Sequence, residues 1–371
     1  MLIGYVVHNL NDPAVERRCR MFTAGGAKIK LGGFARDEAL RSQIREWDPL
    51  VLGQSRDAAL VRRALDIARM SLFPAEIEHF FRSADILVAR NLEQLILAAR
   101  IAKGRPLVYE CLDIHRLLVG SGPASKLVRG LEAQVLPKVD LLISSSPAFA
   151  VHHFDTRPLS APTLLVENKV LSLEPDAAPL IAQSPCEDRE DGVIRIGWFG
   201  MLRCRTTLAF MTRLANQGNG RIQIVIGGKP SAAELPDFED CVDQVKHITY
   251  IGPYGYDELE SLYGACDFAW TIDWFEEGLN SSWLLPNRIY EALAFGAVPI
   301  GLRDIEIGRW LGRHDVGLLV ADADEAIARL LAMSAAELAG LKAGASAIAR
   351  AAVVADVRDC EALVTNLSSL L

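Results

Sequence analysis

Asn287, Arg288 and Glu291 have the types and spacing to hold a nucleoside diphosphate. Arg288 offers a forked cation and Glu291 a carboxylate, three residues apart and so on one face of a helix. Both fall in the stretch 284–301, LLPNRIYEALAFGAVPIG. Pro286 suits a first helical turn, where its missing N–H costs nothing. Ile289, Leu293 and Ala294 make an apolar face, Gly296 stops the helix, and the strand VPI follows. A helix N-terminus favours anions. A cation at that end suits a diphosphate, and a carboxylate suits ribose hydroxyls. A solvated Arg/Glu pair on an ordinary βαβ helix is the competing reading of these residues taken alone.

Three further constellations stand at strand ends. In GWFGMLRCRT (197–206), Gly200 permits close backbone approach, and Arg203 and Arg205 can grip a diphosphate. The segment lacks the Gly-Lys-Ser/Thr of a Walker A loop and the three glycines of the dinucleotide fingerprint. Gly227-Gly228-Lys229 and Gly252-Pro253-Tyr254 end the next two strands, where Gly228, Lys229 and Tyr254 would border the nucleotide. Glycine turns alone are ordinary loop chemistry. In YECLDIHR (109–116), Glu110, Asp113 and His115 put three titratable groups within six residues. A carboxylate there can take a proton from an acceptor hydroxyl, and His115 can do the same or hold the acceptor. A salt bridge of Glu110 or Asp113 with Arg116 is the structural alternative. His8 ends the first strand and is a weaker candidate; His79, His247 and His314 read as isolated surface or core histidines.

The elements that position these groups alternate. LIGYVV (2–7) is a continuous apolar run, as in a buried parallel strand. Strands are expected near 29–33, 85–89, 106–110, 140–144 and 163–166, with helices over 14–24, 92–103 and 126–135. Residues 172–192, rich in Pro, Ala and charge, read as a linker. A second alternation follows, with strands at 194–198, 222–226, 248–251, 267–272 and 316–320. Alternating strands and helices give parallel sheets whose ligands bind at the carboxyl strand ends. The expected architecture is α/β, with two Rossmann-like doubly wound domains facing a cleft.

The 371 residues are half hydrophobic, enough for two cores, and no apolar run reaches the ~20 residues that span a bilayer. The start, MLIGYVVHNLND, lacks a secretory pattern, so a cytoplasmic protein is expected. Seven scattered cysteines support neither a zinc site nor a disulfide frame. The net charge of −8 divides unevenly: residues 1–170 carry +5 and residues 171–371 carry −13. A basic half suits an anionic partner such as a membrane surface or a phosphorylated lipid. The segment 58–82, with Arg62, Arg63, Arg69 and Arg82 among apolar residues, has the pattern of a helix that lies on a membrane. It also fits a docking helix with solvated arginines.

In this order the segments resemble a GT-B glycosyltransferase. ADILVARNLEQLILAARIAKGRPLVYECLDIHR resembles the acceptor-side core of that fold. IGWFGMLRCR, IQIVIGG, HITYIGPYGYDELESLYGACDFAW and LPNRIYEALAFGAVPIG resemble its donor-side core. NDPAVERRCRM, YECLDIHR and LPNRIYEALAFGAVPIG are similar to the transferases that build succinoglycan-type exopolysaccharide repeat units, relatives of the family-four group. The resemblance implies an acceptor domain over residues 1–171, the linker at 172–192 and a nucleotide-sugar domain over 193–350. It also implies a C-terminal helix over 351–371 that packs back on the first domain. The diphosphate would lie near Gly200, Arg203 and Arg205, and the ribose on Glu291, with no cofactor beyond the UDP-sugar co-substrate and no metal. Retaining relatives place a second glutamate eight positions before the ribose glutamate; here that position is Trp283, with Glu276 and Glu277 further back. The departure favours inversion, with Asp113 as base and Glu110 as second choice.

The expected activity is transfer of a hexose, glucose favoured, from a UDP-sugar to a lipid-linked saccharide at the inner face of the cytoplasmic membrane, with no nucleic-acid partner. Two readings from other classes stay open. A UDP-sugar epimerase of the same fold needs no acceptor. A non-catalytic sugar-binding protein needs no nucleotide.

Overall fold

The computed structural model describes residues 1–35, 39–54, 75–174, 192–275, 277–278 and 280–371. Arg62, Arg63 and Arg69, most of the 172–192 linker, and Glu276 lie outside the described residues.

The chain divides into two compact units. The first comprises Met1–Glu167, Leu171–Leu173 and Ala355–Leu371; the second comprises Asn168–Val170 and Glu174–Val354. In the first unit β1 (Leu2–Val7), β2 (Lys28–Ala35), β3 (Leu50–Gln54), β4 (Ile86–Arg90), β5 (Leu107–Cys111), β6 (Leu141–Ser144) and β7 (Thr163–Leu165) form one sheet. Its order is β3-β2-β1-β4-β5-β6-β7. The pairings are parallel, and Tyr5 stands opposite Leu31 on one side and Val88 on the other. The run LIGYVV is apolar throughout because helices cover both faces of a parallel sheet. Asp12 caps the helix Pro13–Ala24 by accepting from Ala14 N at 2.9 Å. The C-terminal helix Val357–Ser368 packs on that helix and buries Cys360, Leu363, Val364 and Leu367 in the first unit's core.

Two short strands, β8 (Val170–Leu171) and β15 (Val354–Ala355), pair where the chain passes from one unit to the other and back. The second sheet contains β9 (Ile194–Leu202), β10 (Ile222–Pro230), β11 (Ile248–Tyr250), β12 (Phe268–Trp270), β13 (Val298–Leu302) and β14 (Leu318–Val320). Its order is β11-β10-β9-β12-β13-β14, again parallel. Each sheet reverses its strand order once, between β1 and β4 and between β9 and β12. Such a reversal parts the loops that leave the two central strands and opens a crevice at their carboxyl ends.

The structure departs from the sequence pattern in several places. Within residues 37–47, whose polar pattern predicts irregular chain, Ser42–Arg45 is helical, and β3 follows. The helix Glu306–Arg313 has no counterpart in the sequence reading; it buries Ile307, Trp310 and Leu311 beside β13. Both strands that carry the glycine motifs run further than the sequence suggests. β9 continues through Phe199–Leu202, and β10 includes Gly227, Gly228 and Lys229.

Candidate functional site

In the second unit, the groups that follow β9 and β12 meet at the reversal of strand order. Arg203 comes directly after β9, and Asp273 three residues after β12. Asp273 Oδ2 lies 3.7 Å from Arg203 Nη2 and 3.7 Å from Arg288 Nη2. Its other oxygen, Oδ1, accepts from Phe275 N at 2.9 Å and so ties the carboxylate to its own loop. The Arg203 guanidinium stands over the Phe275 ring, 4.5 Å from its centroid. Arg288 Nη1 faces the Trp270 carbonyl at 3.5 Å. The Arg203 side chain is 38% exposed and that of Arg288 15%, so a ligand can reach both while water screens Arg288 little. Sequence reasoning selects both arginines and misses Asp273, which sits in a loop without a motif.

Arg288 and Glu291 belong to the helix Asn287–Ala294. Pro286 is its N-cap rather than its first residue, and Asn287 stands exposed at the first helical position. Ile289, Tyr290, Ala292, Leu293 and Ala294 are buried and fix the helix against the sheet. Full burial of Ile289 and of Leu293 contributes about 1.5–3 kcal/mol each. That burial sets the opposite face, with Arg288 and Glu291, at the strand ends.

Glu291 is held by a tyrosine. Tyr263 O–H donates to Glu291 Oε2 at 2.9 Å. Burial first, and then the Glu291 charge, push the Tyr263 phenol well above its ordinary range, so it remains a donor. Phe199 packs edge-on against Tyr263 at 4.9 Å and against Tyr254 at 6.1 Å. The Tyr254 phenol is also raised, by burial first and then by Glu291, with Arg288 opposing. Tyr254, Glu291 and Arg288 therefore share one neighbourhood.

The two glycines of the sequence motifs face each other across paired strands. Gly228 stands opposite Gly200 in the β9–β10 ladder. Their φ angles are +136° and +114°, which L side chains rarely adopt. A Cβ on Gly228 would lie 1.8 Å from the Gly200 carbonyl oxygen, whereas one on Gly200 would meet nothing within 4 Å. Gly228 thus permits the strand ends to close together, and Gly200 keeps open space in front of its backbone. Gly228 N donates to the Gly252 carbonyl at 2.8 Å, and Tyr250 O–H donates to the Gly228 carbonyl at 2.8 Å. Lys229 is exposed beside them.

Arg205 departs from its expected place. It opens the helix Arg205–Gly218, which Cys204 caps by accepting from Thr207 N at 3.4 Å. Its fork grips Asp237 at 2.6 and 3.2 Å and reaches the Glu234 carbonyl at 3.3 Å. That hydrogen bonding holds the Asp237 carboxyl down to about 2. Arg205 secures the segment before the Phe238–Asp243 helix and is not joined to Arg203 and Arg288.

In the first unit Glu110 also departs from expectation. It is fully buried on β5, and its partners are not Arg116 but Arg18, Arg90 and Tyr5. Arg18 Nε donates to Oε1 at 2.6 Å; Arg90 Nε and Tyr5 O–H donate to Oε2 at 2.8 and 2.5 Å. Burial pushes the carboxyl up, but the Arg90 and Arg18 charges and the bonds from Arg90 and Tyr5 outweigh it and hold it down to about 2. A carboxylate so occupied is a poor proton acceptor, and no substrate reaches it. Glu110 joins three strands and a helix instead. Asp113 is exposed past the end of β5. His115 is exposed too, and its Nδ1 accepts from Leu117 N at 3.2 Å, capping the short helix Arg116–Val119.

No family model matches the chain. It is similar to the succinoglycan biosynthesis protein ExoL of Rhizobium meliloti (strain 1021), with 38% identity over 379 residues, 99% of this chain and 93% of that protein. Among solved structures it superposes on Anabaena Alr3699/HepE in complex with UDP and glucose, with a TM-score of 0.68 and 16% identity over all of both chains. It also superposes on the sucrose-phosphate synthase of Thermosynechococcus elongatus, with a TM-score of 0.73 and 14% identity over 100% of this chain and 98% of that one. At such low identity the structures establish the fold; the identity with ExoL over nearly the whole of both chains establishes the family. The protein belongs to the family of the succinoglycan biosynthesis protein ExoL, the succinoglycan-type glycosyltransferases of GT-B fold.

Proposed function

We propose that the protein transfers a hexose, with glucose favoured, from a UDP-sugar to a lipid-linked oligosaccharide during exopolysaccharide assembly. The observation that carries this reading is the meeting of Arg203 and Arg288 at one carboxylate, with Glu291 held by Tyr263, at the strand reversal of the second sheet. In this reading the diphosphate lies on the two arginines and the helix N-terminus at Asn287, the ribose hydroxyls on Glu291, and Gly200 lets the phosphate approach the backbone. In this reading the two guanidiniums and the helix N-terminus supply the positive charge that faces the diphosphate, and no metal or further cofactor takes part. The HepE structures, in complex with UDP-glucose and with UDP and glucose, support uridine and glucose.

Transfer proceeds by direct displacement. Asp113, on the first unit, takes the proton of the acceptor hydroxyl as its oxygen attacks the anomeric carbon. The bond to the β-phosphate oxygen breaks, and Arg203 and Arg288 stabilise the charge that develops there. Trp283, half-buried at the end of the turn Ser281–Trp283, stands where a retaining relative carries its second glutamate.

The lipid-linked acceptor agrees with the helix Pro123–Val135. Leu127 is 67% exposed and Leu131, one turn on, 40% exposed, with Lys126 beside them and Glu132 turned into the protein. Exposed apolar side chains beside a lysine suit the cytoplasmic surface of an anionic membrane. Among the described residues no helix is long and apolar enough to cross a membrane.

Incubation of the purified protein with UDP-glucose and a lipid-linked acceptor tests the reading. UDP should appear only when acceptor is present. Asp113→Asn should abolish transfer and leave UDP binding intact. UDP release without acceptor, or sugar isomerisation, would favour the epimerase reading, and turnover by Asp113→Asn would remove Asp113 as base.

A further inference from the structure

Asp273 is unexpected where it stands. A site for a diphosphate gains nothing from a carboxylate in its centre, yet Oδ2 lies 3.7 Å from a nitrogen of each arginine. At that distance the contact is Coulombic, longer than the 2.7–2.9 Å of a charge-assisted hydrogen bond. The guanidinium donors are oriented by Asp273 without being saturated by it. The carboxylate cannot simply swing aside, because Oδ1 accepts from Phe275 N at 2.9 Å, and the Phe275 ring underlies Arg203. A phosphate oxygen held by both guanidiniums would therefore stand within a few ångströms of Oδ2.

We propose that Asp273 is a positioning residue with two effects: it holds Arg203 and Arg288 together in the ligand-free protein, and it weakens the hold on the nucleoside diphosphate that leaves. The inference rests on the donor-site reading above. A nucleotide sugar carries two negative charges on its diphosphate. When the bond from the anomeric carbon to the β-phosphate oxygen breaks, the electron pair stays on that oxygen. The acceptor oxygen completes the new bond and its proton passes to the base. The departing diphosphate thus carries a third charge that the donor lacked. Asp273 repels the product more strongly than the substrate, which opposes product inhibition at a site built from two arginines.

Calorimetric titration of Asp273→Asn tests this. The amide oxygen of the substituted side chain can still accept from Phe275 N, so the loop keeps its anchor while the charge is removed. UDP should bind about tenfold tighter than to the wild type, the order expected for removing one unit charge a few ångströms away at a partly exposed site that water reaches. UDP-glucose should tighten by about threefold, and uridine, which has no phosphate, should be unchanged. If the variant proves unstable, Asp273→Ser supplies another oxygen acceptor for Phe275 N and the same three ligands are compared. Equal or weaker binding of UDP overturns the proposal, as does tightening that extends to uridine. If the wild type binds UDP and Arg288→Ala loses it while Asp273→Asn changes nothing, only this inference fails. If the wild type binds no UDP, the donor-site reading fails with it.

Discussion

Replacing Glu110 by Gln keeps the side chain's size and removes one charge. In the wild type that charge faces two guanidiniums that are almost wholly out of water, Arg18 at 3% and Arg90 at 1% exposure. A glutamine keeps one acceptor oxygen and turns an amide NH2 toward a donor. At least one guanidinium then loses its hydrogen bond, and both buried cations lose their counter-charge. Removing one partner of a buried ion pair costs about 3–5 kcal/mol. Asp12, 3.9 Å from Arg90, offsets a small part of this, so the expected loss in the first unit is about 3–4 kcal/mol. Because two units need not unfold together, hydrogen exchange of the β1, β4 and β5 amides is the assay that isolates the first unit. The opening free energy of those amides should fall by that amount, while the amides of β9 and β12 keep theirs. UDP binding, placed on the second unit, should persist. Unchanged exchange in β1, β4 and β5 together with lost transfer would refute the reasoning and return Glu110 to the chemistry.

The same network sets an acid limit. Glu110's folded carboxyl lies at about 2 against an ordinary 4.5, so the unfolded chain binds the proton more readily. The contribution is present above about pH 5 and is lost as pH falls toward 2, roughly 3 kcal/mol in all. Acid unfolding of Glu110→Gln should lack that portion of the curve. Gly228→Ala would place a methyl 1.8 Å from the Gly200 carbonyl at a φ of +136°. A loss of about 3 kcal/mol or more in thermal unfolding is expected, and a loss under about 0.5 kcal/mol would contradict the described closure of the β9 and β10 ends. Tyr263→Phe removes the bond to Glu291; UDP affinity should fall about fivefold, in line with a net hydrogen bond of about 1 kcal/mol, and unchanged affinity would separate Glu291 from the ribose. Leu127→Glu with Leu131→Glu should release the protein from anionic vesicles in a flotation assay, and retained flotation would place the membrane contact elsewhere.

The fold is legible because its central strands are buried on both faces and read as short apolar runs between helices, and the order of those runs carries the resemblance to GT-B enzymes. Strand ends are harder. Gly200 and Gly228 look like turns in sequence, but a ladder of hydrogen bonds carries β9 and β10 past them; a positive φ in a paired glycine leaves the same letter as a glycine in a loop. Arg288 and Glu291 are legible because helix spacing puts them near each other without tertiary knowledge. Asp273 is not, since its partners lie 70 residues before it and 15 after, and only the sheet order brings them together. Glu110 is misassigned from sequence for a related reason. One signal is available: a glutamate inside LVYEC and an arginine closing ILVAR are charges within fully buried strands, and such charges are paired. Arg205 cannot be told from Arg203 by sequence, because its partner Asp237 lies beyond the following helix and strand.

The donor site is tested by titrating UDP into the wild-type protein and into Arg288→Ala, with thermal unfolding to show that the variant is folded. Binding to the wild type should be saturable, and the variant should bind about ten- to a hundredfold more weakly, the worth of hydrogen bonds from a charged group. Failure of the wild type to bind any nucleoside diphosphate, or equal binding by a folded Arg288→Ala, would contradict the assignment of Arg203, Arg288 and Glu291 to the nucleotide sugar.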